Sequence, residues 1–263
     1  MVGNPKAKGI ALLSGSGGNG RTTAALNLAA LLASKGQKVL LFDMCFGWGG
    51  LNSFVNSVPD YEALLESEEP ETLAFSAPAG FDILTCNPPS FLCPGEEELK
   101  KIGWMAYYMG FKYHDIIFDP PSGGHPLALL AAGLSESVFL FSRPEASSVE
   151  LSYCLLKSLH EEGIFSRVKT AFSFVESFQH AASLKIRFDI LTRQFLNIQL
   201  ADGGFICRRN NDEEDFSFRE ISEQTIASVT NLNLNSRPAF QNATRMGTAG
   251  RAIPKINSKD DKR

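Results

Sequence analysis

The residues with the clearest capacity for chemistry lie between Gly15 and Thr23. There Gly15, Gly17, Gly18 and Gly20 surround Ser16 and Asn19 and lead into Arg21, Thr22 and Thr23. Small side chains let successive backbone N–H groups turn inward and form a nest for an anion, and a helix starting near Arg21 adds the positive end of its dipole. The phosphate-loop pattern G-x-x-x-x-G-K-[ST] is met at every fixed position from Gly15 to Thr22 except one, where Arg21 stands in place of lysine. That lysine normally carries charge to the β- and γ-phosphates of a nucleotide, so the exchange touches the chemistry directly.

The flanking sequence supplies the elements that such a loop needs. Ile10 to Leu13 is an apolar run that reads as a strand, and Thr23 to Ala33 reads as a helix burying Leu26, Ala30 and Ala33 and stopping at Lys35-Gly36. Lys38 to Asp43 is a short apolar run of the kind expected in a buried parallel strand, which completes a right-handed strand, helix, strand unit. The glycine-rich stretch from Met44 to Asn52 then falls at a strand's carboxyl end, where open parallel sheets bind ligands.

Further along, strands are predicted at Phe81 to Thr85, Tyr113 to Asp119, Ser137 to Phe141, Val168 to Val175 and within Ile198 to Ile206. Helices are predicted at Tyr61 to Ser67, Glu96 to Met109, Ser147 to Glu162, His180 to Phe195 and Glu220 to Val229. This alternation predicts an α/β fold with a doubly wound, mostly parallel sheet and helices on both faces. The expected organisation is a short leader at 1–7, one domain at 8–235 and a basic C-terminal tail at 236–263 that does not fold by itself.

Composition narrows the function classes. The 263 residues carry a formal charge of −4, but residues 237–263 hold seven basic and two acidic side chains, a net of +5 that leaves −9 on the rest. An acidic body argues against a broad nucleic-acid surface, and membrane contact is expected only through the tail. The five cysteines include no C-x-x-C pair, which argues against a disulfide framework or a zinc ribbon. With no signal-like or membrane-spanning run, the expected location is the cytoplasm, with recruitment to a cell pole or the inner membrane surface left open.

Order and spacing of three loops resemble the MinD/ParA family of deviant Walker ATPases. Ser16-Gly17-Gly18-Asn19-Gly20-Arg21-Thr22-Thr23 aligns with that family's K-G-G-x-G-K-[ST]-[ST]. Asp43 to Asn52 aligns with its switch I, D-x-D-x-G-L-x-x-x-[ND], and Asp119-Pro120-Pro121-Ser122-Gly123 with its Walker B and switch II. Arg143-Pro144-Glu145-Ala146-Ser147-Ser148 is similar to the family's T-x-P-E turn into a helix. Within the family, the G-W-G-G-L-N and R-P-E-A-S-S stretches look most like the flagellar-number regulators FlhG (FleN).

The resemblance implies ATP or ADP with Mg²⁺ as cofactor. The phosphates would lie against Gly17, Gly18, Asn19, Gly20, Arg21, Thr22 and Thr23, and Mg²⁺ would be held by Thr22, with Asp119 and Asp43 acting through water. It also implies a protein partner at the switch face, around Trp48, Asn52, Ser122, Gly123 and His125, and a homodimer. The hydrolytic half is degenerate. The family's signature lysine is Ser16, the loop lysine is Arg21, and the water-orienting second switch I aspartate is Cys45, a far weaker acceptor. A regulatory or positioning adaptor with weak or no hydrolysis is therefore expected; the rivals are a working ATPase and a DNA-partitioning protein. Ser173 is the nearest counterpart of the asparagine that the family places near adenine.

Overall fold

The structure is a computed structural model that describes residues 7–46, 51, 55, 58–87 and 93–207. Its elements are β1 (Lys8–Ser14), α1 (Arg21–Ser34), β2 (Val39–Asp43), α2 (Tyr61–Glu66), β3 (Phe75–Ser76), β4 (Asp82–Leu84), α3 (Glu96–Met109), β5 (Asp115–Asp119), α4 (Pro126–Leu134), β6 (Ser137–Ser142), α5 (Ala146–Glu161), β7 (Val168–Val175), α6 (Phe178–Leu196) and β8 (Ala201–Cys207). The strands form one eight-stranded sheet in the order β3-β4-β2-β5-β1-β6-β7-β8, parallel throughout except where β3 pairs with β4. The expected α/β, mostly parallel architecture is what is found.

Alternation along the strands builds two apolar layers. Ile10, Leu12, Val39, Leu41 and Ile117 face α1 and meet Ala24, Ala25, Leu28, Ala29 and Leu32. Ala11, Leu13, Leu40, Phe42, Ile116 and Phe118 face the opposite way, into a layer shared with α2 to α6. Because β5 and β6 lie on either side of β1 while the chain passes from one to the other through α4, the carboxyl end of β1 is a point where the winding changes direction. The glycine-rich loop emerges there.

Three sequence readings need correction. The face of α1 turned to the sheet carries Ala24, Ala25, Leu28, Ala29 and Leu32, whereas Leu26, Ala30 and Ala33 are only partly buried. The helix is apolar nearly all round, so its period could not choose the face. Helix α4 was not anticipated, because Pro126 to Leu134 is an unbroken apolar run without helical periodicity. Proline in its first turn and His125, whose Nδ1 accepts from Leu127 N at 3.2 Å, were its available signals. The short edge strand β3 was also missed. The predicted helix at Glu220 to Val229 and the basic tail lie outside the described residues.

Among the described residues no helix is long and apolar enough to cross a membrane. Phe118 is fully buried on the strand between β1 and β2 and packs against Phe42 at a ring separation of 6.1 Å. Phe118→Ala should therefore cost about 3–5 kcal/mol of stability. Urea unfolding would show this as a lower midpoint with an unchanged slope.

Candidate functional site

Backbone pairing places the last residues of three strands side by side. Asp43 and Asp119 are register partners across β2 and β5, and β5 also pairs with β1, which ends at Ser14. The loops leaving these ends are stitched together: Gly123 N donates to Ser14 O at 2.8 Å, and Met44 N donates to Asp119 O at 3.0 Å. The glycine-rich loop is packed from behind by α5. A Cβ on Gly15 would stand 2.2 Å from the Leu151 carbonyl carbon, so no other residue fits there.

Within this frame the loop presents unused donors. Helix α1 begins at Arg21 after Gly20 in a left-handed conformation, and the N–H groups from Gly18 to Thr23 meet no acceptor among the described residues. Gly17 and Gly18 are exposed, whereas Asn19 is buried and donates through Nδ2 to Phe141 O at 3.4 Å, which ties the loop to β6. The buried Asn19 Oδ1 and Ser173 Oγ have no hydrogen-bond partner. Inward-facing, unsatisfied donors at a helix start are what a phosphate requires.

Arg21 is engaged with the ends of the neighbouring strands. Its Nε donates to Asp119 Oδ1 at 2.7 Å, with the two side chains 8% and 0% exposed. Its Nη1 reaches Ser14 Oγ at 3.1 Å and Ser122 Oγ at 3.5 Å, and Nη2 lies 3.9 Å from Cys45 Sγ. Thr22 Oγ1 donates to the other oxygen, Asp119 Oδ2, at 2.6 Å. Thr22 and Asp119 thus meet, as metal binding through one and through the other's water would need, but both oxygens of Asp119 are already engaged.

Asp43 stands beside this group and is spent on structure. Oδ1 accepts from Cys45 N at 3.0 Å, and Oδ2 from Leu51 N at 2.8 Å and Thr85 Oγ1 at 2.9 Å. Burial pushes its pKa up to about 6, and the nearby Asp119 charge adds to the rise, against the three hydrogen bonds that lower it. The Cys45 thiol is pushed up to about 12, first by burial and then by the Asp119 and Asp43 charges. It is a neutral thiol at physiological pH, unable to serve as a base toward water.

Other sequence-predicted positions fall as follows. Ser16 and Thr23 lie on the loop rim and Thr23 is exposed; Ser122 and Gly123 sit beneath the loop against Ser14. His125 has its Nδ1 committed to capping α4. Trp48 and Asn52 lie outside the described residues. The hydroxyls of Ser14 and Thr85 were missed, because each ends an apolar run that reads only as a strand. Among the described residues no group of three or more His, Cys, Asp and Glu side chains forms a metal cluster.

The profile of the CobQ/CobB/MinD/ParA nucleotide binding domain family (CbiA) matches residues 10–253. The chain belongs to this family. It is 30% identical over 157 residues to the chromosome-partitioning ATPase Soj of Thermus thermophilus, covering 59% of this chain and 63% of that relative's own length. The structure is similar to MinD of Aquifex aeolicus in its MinC:MinD complex, with a TM-score of 0.59, 20% identity and coverage of 94% and 98% of the two chains. It is also similar to MinD of Pyrococcus horikoshii complexed with Mg-ADP, with a TM-score of 0.60, 18% identity and coverage of 91% and 96%. At those identities the likeness establishes the MinD/ParA fold alone.

Two outcomes follow for the site. Arg21→Ala would leave Asp119 buried without its cation and should cost about 3–5 kcal/mol of stability in chemical unfolding. Asp43 has a folded pKa of about 6, above the model-compound value of 3.8. Its contribution to stability is therefore fully present below about pH 4 and lost as pH rises through about 6. In metal-free buffer, the unfolding free energy of the wild type relative to Asp43→Asn should fall by about 2 kcal/mol between pH 4 and pH 7.

Proposed function

We propose that this CobQ/CobB/MinD/ParA-family chain binds a nucleoside di- or triphosphate on the Gly17 to Thr23 nest, hydrolyses it weakly or not at all, and acts as a regulatory or positioning adaptor. The carrying observation is the pairing of an open donor nest with a buried Arg21–Asp119 ion pair beside it. The free N–H donors of the nest fit phosphate oxygens, and the Mg-ADP complex of the archaeal MinD supports the assignment.

Thr22 is the group to ligate Mg²⁺ directly and Asp119 to hold one of its waters. Held there, the ion would supply positive charge to offset that of the phosphates. The chain's own residues do the rest: backbone N–H groups orient the phosphates, Asp43 fixes the switch I turn through Cys45 and Leu51, and Arg21 joins β1, switch I and switch II. None of these side chains offers a base for water, since Cys45 is a neutral thiol and Asp43 already accepts three hydrogen bonds. Charged contributors in phosphoryl transfer are each worth roughly 10³ to 10⁵ in rate, so the loss of the Ser16 and Cys45 positions alone places turnover far below that of an intact site.

The loops at the switch face are the surface for a protein partner, and the MinC complex of the bacterial MinD supports a partner of that kind. A flagellar or polar role is supported by the sequence likeness of residues 47–52 and 143–148. A family-type homodimer around two nucleotides would lack the lysine at Ser16, and light scattering with and without ATP tests its formation. A partitioning role is supported by the Soj relative, and salt-dependent binding to random duplex DNA would establish it.

Calorimetric titration of the full chain with Mg-ADP and Mg-ATP should show one site per chain. Phosphate release should stay at background, and Arg21→Lys alone should not restore it, because Cys45 remains. Clear turnover that vanishes in Asp119→Ala would refute the adaptor reading.

A further inference from the structure

Two residues outside the phosphate-loop pattern stand beside it. Arg143 follows β6, and its guanidinium lies 5.2 Å from the centre of the Phe174 ring and 2.7 Å, through Nη2, from Glu145 Oε1. Nη1 would be 3.9 Å from a Cβ on Gly18, and the Phe174 ring 3.5 Å from one on Gly20. Arg143 Nε is shielded from water and has no hydrogen-bond partner.

Phe174 is held there at a cost. Its φ is +58°, in the left-handed region that a bulky side chain rarely adopts, at a register shift in the β7–β8 pairing. Strain of this kind persists where the surroundings impose it, and it gathers at ligand clamps. The preceding residue, Ser173, shares the face of Ala171 that α1 covers, and its buried hydroxyl is one of the orphans. Asn19 Oδ1, in the loop itself, is another.

Charge around the loop gives this arrangement a task. The signature lysine is replaced by Ser16, and Arg21 is consumed by Asp119, so neither supplies a cation to the loop's interior. Arg143 Nη1 is an unoccupied donor beside Gly18, and an arginine N–H makes a charge-assisted hydrogen bond to a phosphate oxygen. We infer that Arg143, seated on Phe174, is the cationic arm that contacts the phosphates of the bound nucleotide. Arg143 is a binding residue in this account and Phe174 a positioning residue. The inference rests on the nucleotide-binding reading above.

Titrations of the full chain with Mg-ADP, Mg-ATP and inorganic tripolyphosphate, combined with thermal unfolding, test it. Arg143→Ala should weaken ADP binding about ten- to hundredfold, the range for a charge-assisted hydrogen bond, and Arg143→Lys should recover part of the loss. Phe174→Gly removes both the ring and the strain, so it should weaken binding several-fold while leaving the melting temperature unchanged or raised. A purely structural role would instead lower the melting temperature and spare affinity. Wild-type binding that is equally tight in Arg143→Ala and Phe174→Gly overturns this inference and leaves the nucleotide reading intact. A wild type that binds none of the three probes overturns both.

Discussion

The buried pairing of Arg21 with Asp119 organises the phosphate end of this molecule. One guanidinium at the start of α1 reaches the last residue of β5, the last residue of β1, the switch II serine and the switch I thiol. Such an ion pair is costly to desolvate and becomes sustainable only when its remaining donors and acceptors are satisfied. Here Thr22 takes the second oxygen of Asp119, and two serines take Nη1. A lysine at the same position is a point charge on a flexible stem that can follow a phosphate; the planar fork is pinned by its several partners. The exchange thus converts a residue that normally meets ligand into one that holds three loops in a single arrangement.

Asp43 illustrates the same trade on the neighbouring strand. Its register partner is Asp119, and two carboxylates at that spacing in a buried setting repel each other. Arg21 relieves one of them, while three hydrogen bonds from Cys45, Leu51 and Thr85 support the other. The turn after β2 is therefore shaped by a carboxylate that points at its own backbone. Two residues on, Cys45 carries a neutral thiol rather than a second carboxylate.

On the opposite side the loop is bounded by Arg143, just past β6, and by Phe174 on β7, and these two strands pair with each other. The nest is consequently walled by one guanidinium that is fully engaged and one that is partly free. Geometry of this kind suits the holding of a polyanion.

Much of this was legible in the sequence, and the reasons are local. Glycine spacing, the strand before it and the helix after it are short-range features, so the phosphate loop from Gly15 to Thr22 and the parallel strands ending in Asp43 and Asp119 could be read directly. Motif order likewise sufficed to indicate the MinD/ParA family. The buried face of α1 and the whole of α4 could not be read, because an element apolar on every side carries no period; only packing against the sheet selects Leu28 over Leu26. Nor could the sequence tell that Arg21 turns to Asp119, that Asp43 is consumed by its own loop, or that Arg143 and Phe174 come to the rim. Those facts depend on which strands become neighbours and in what register, and charges brought together from residues 21, 43, 119 and 143 acquire their energies only once the sheet has removed them from water.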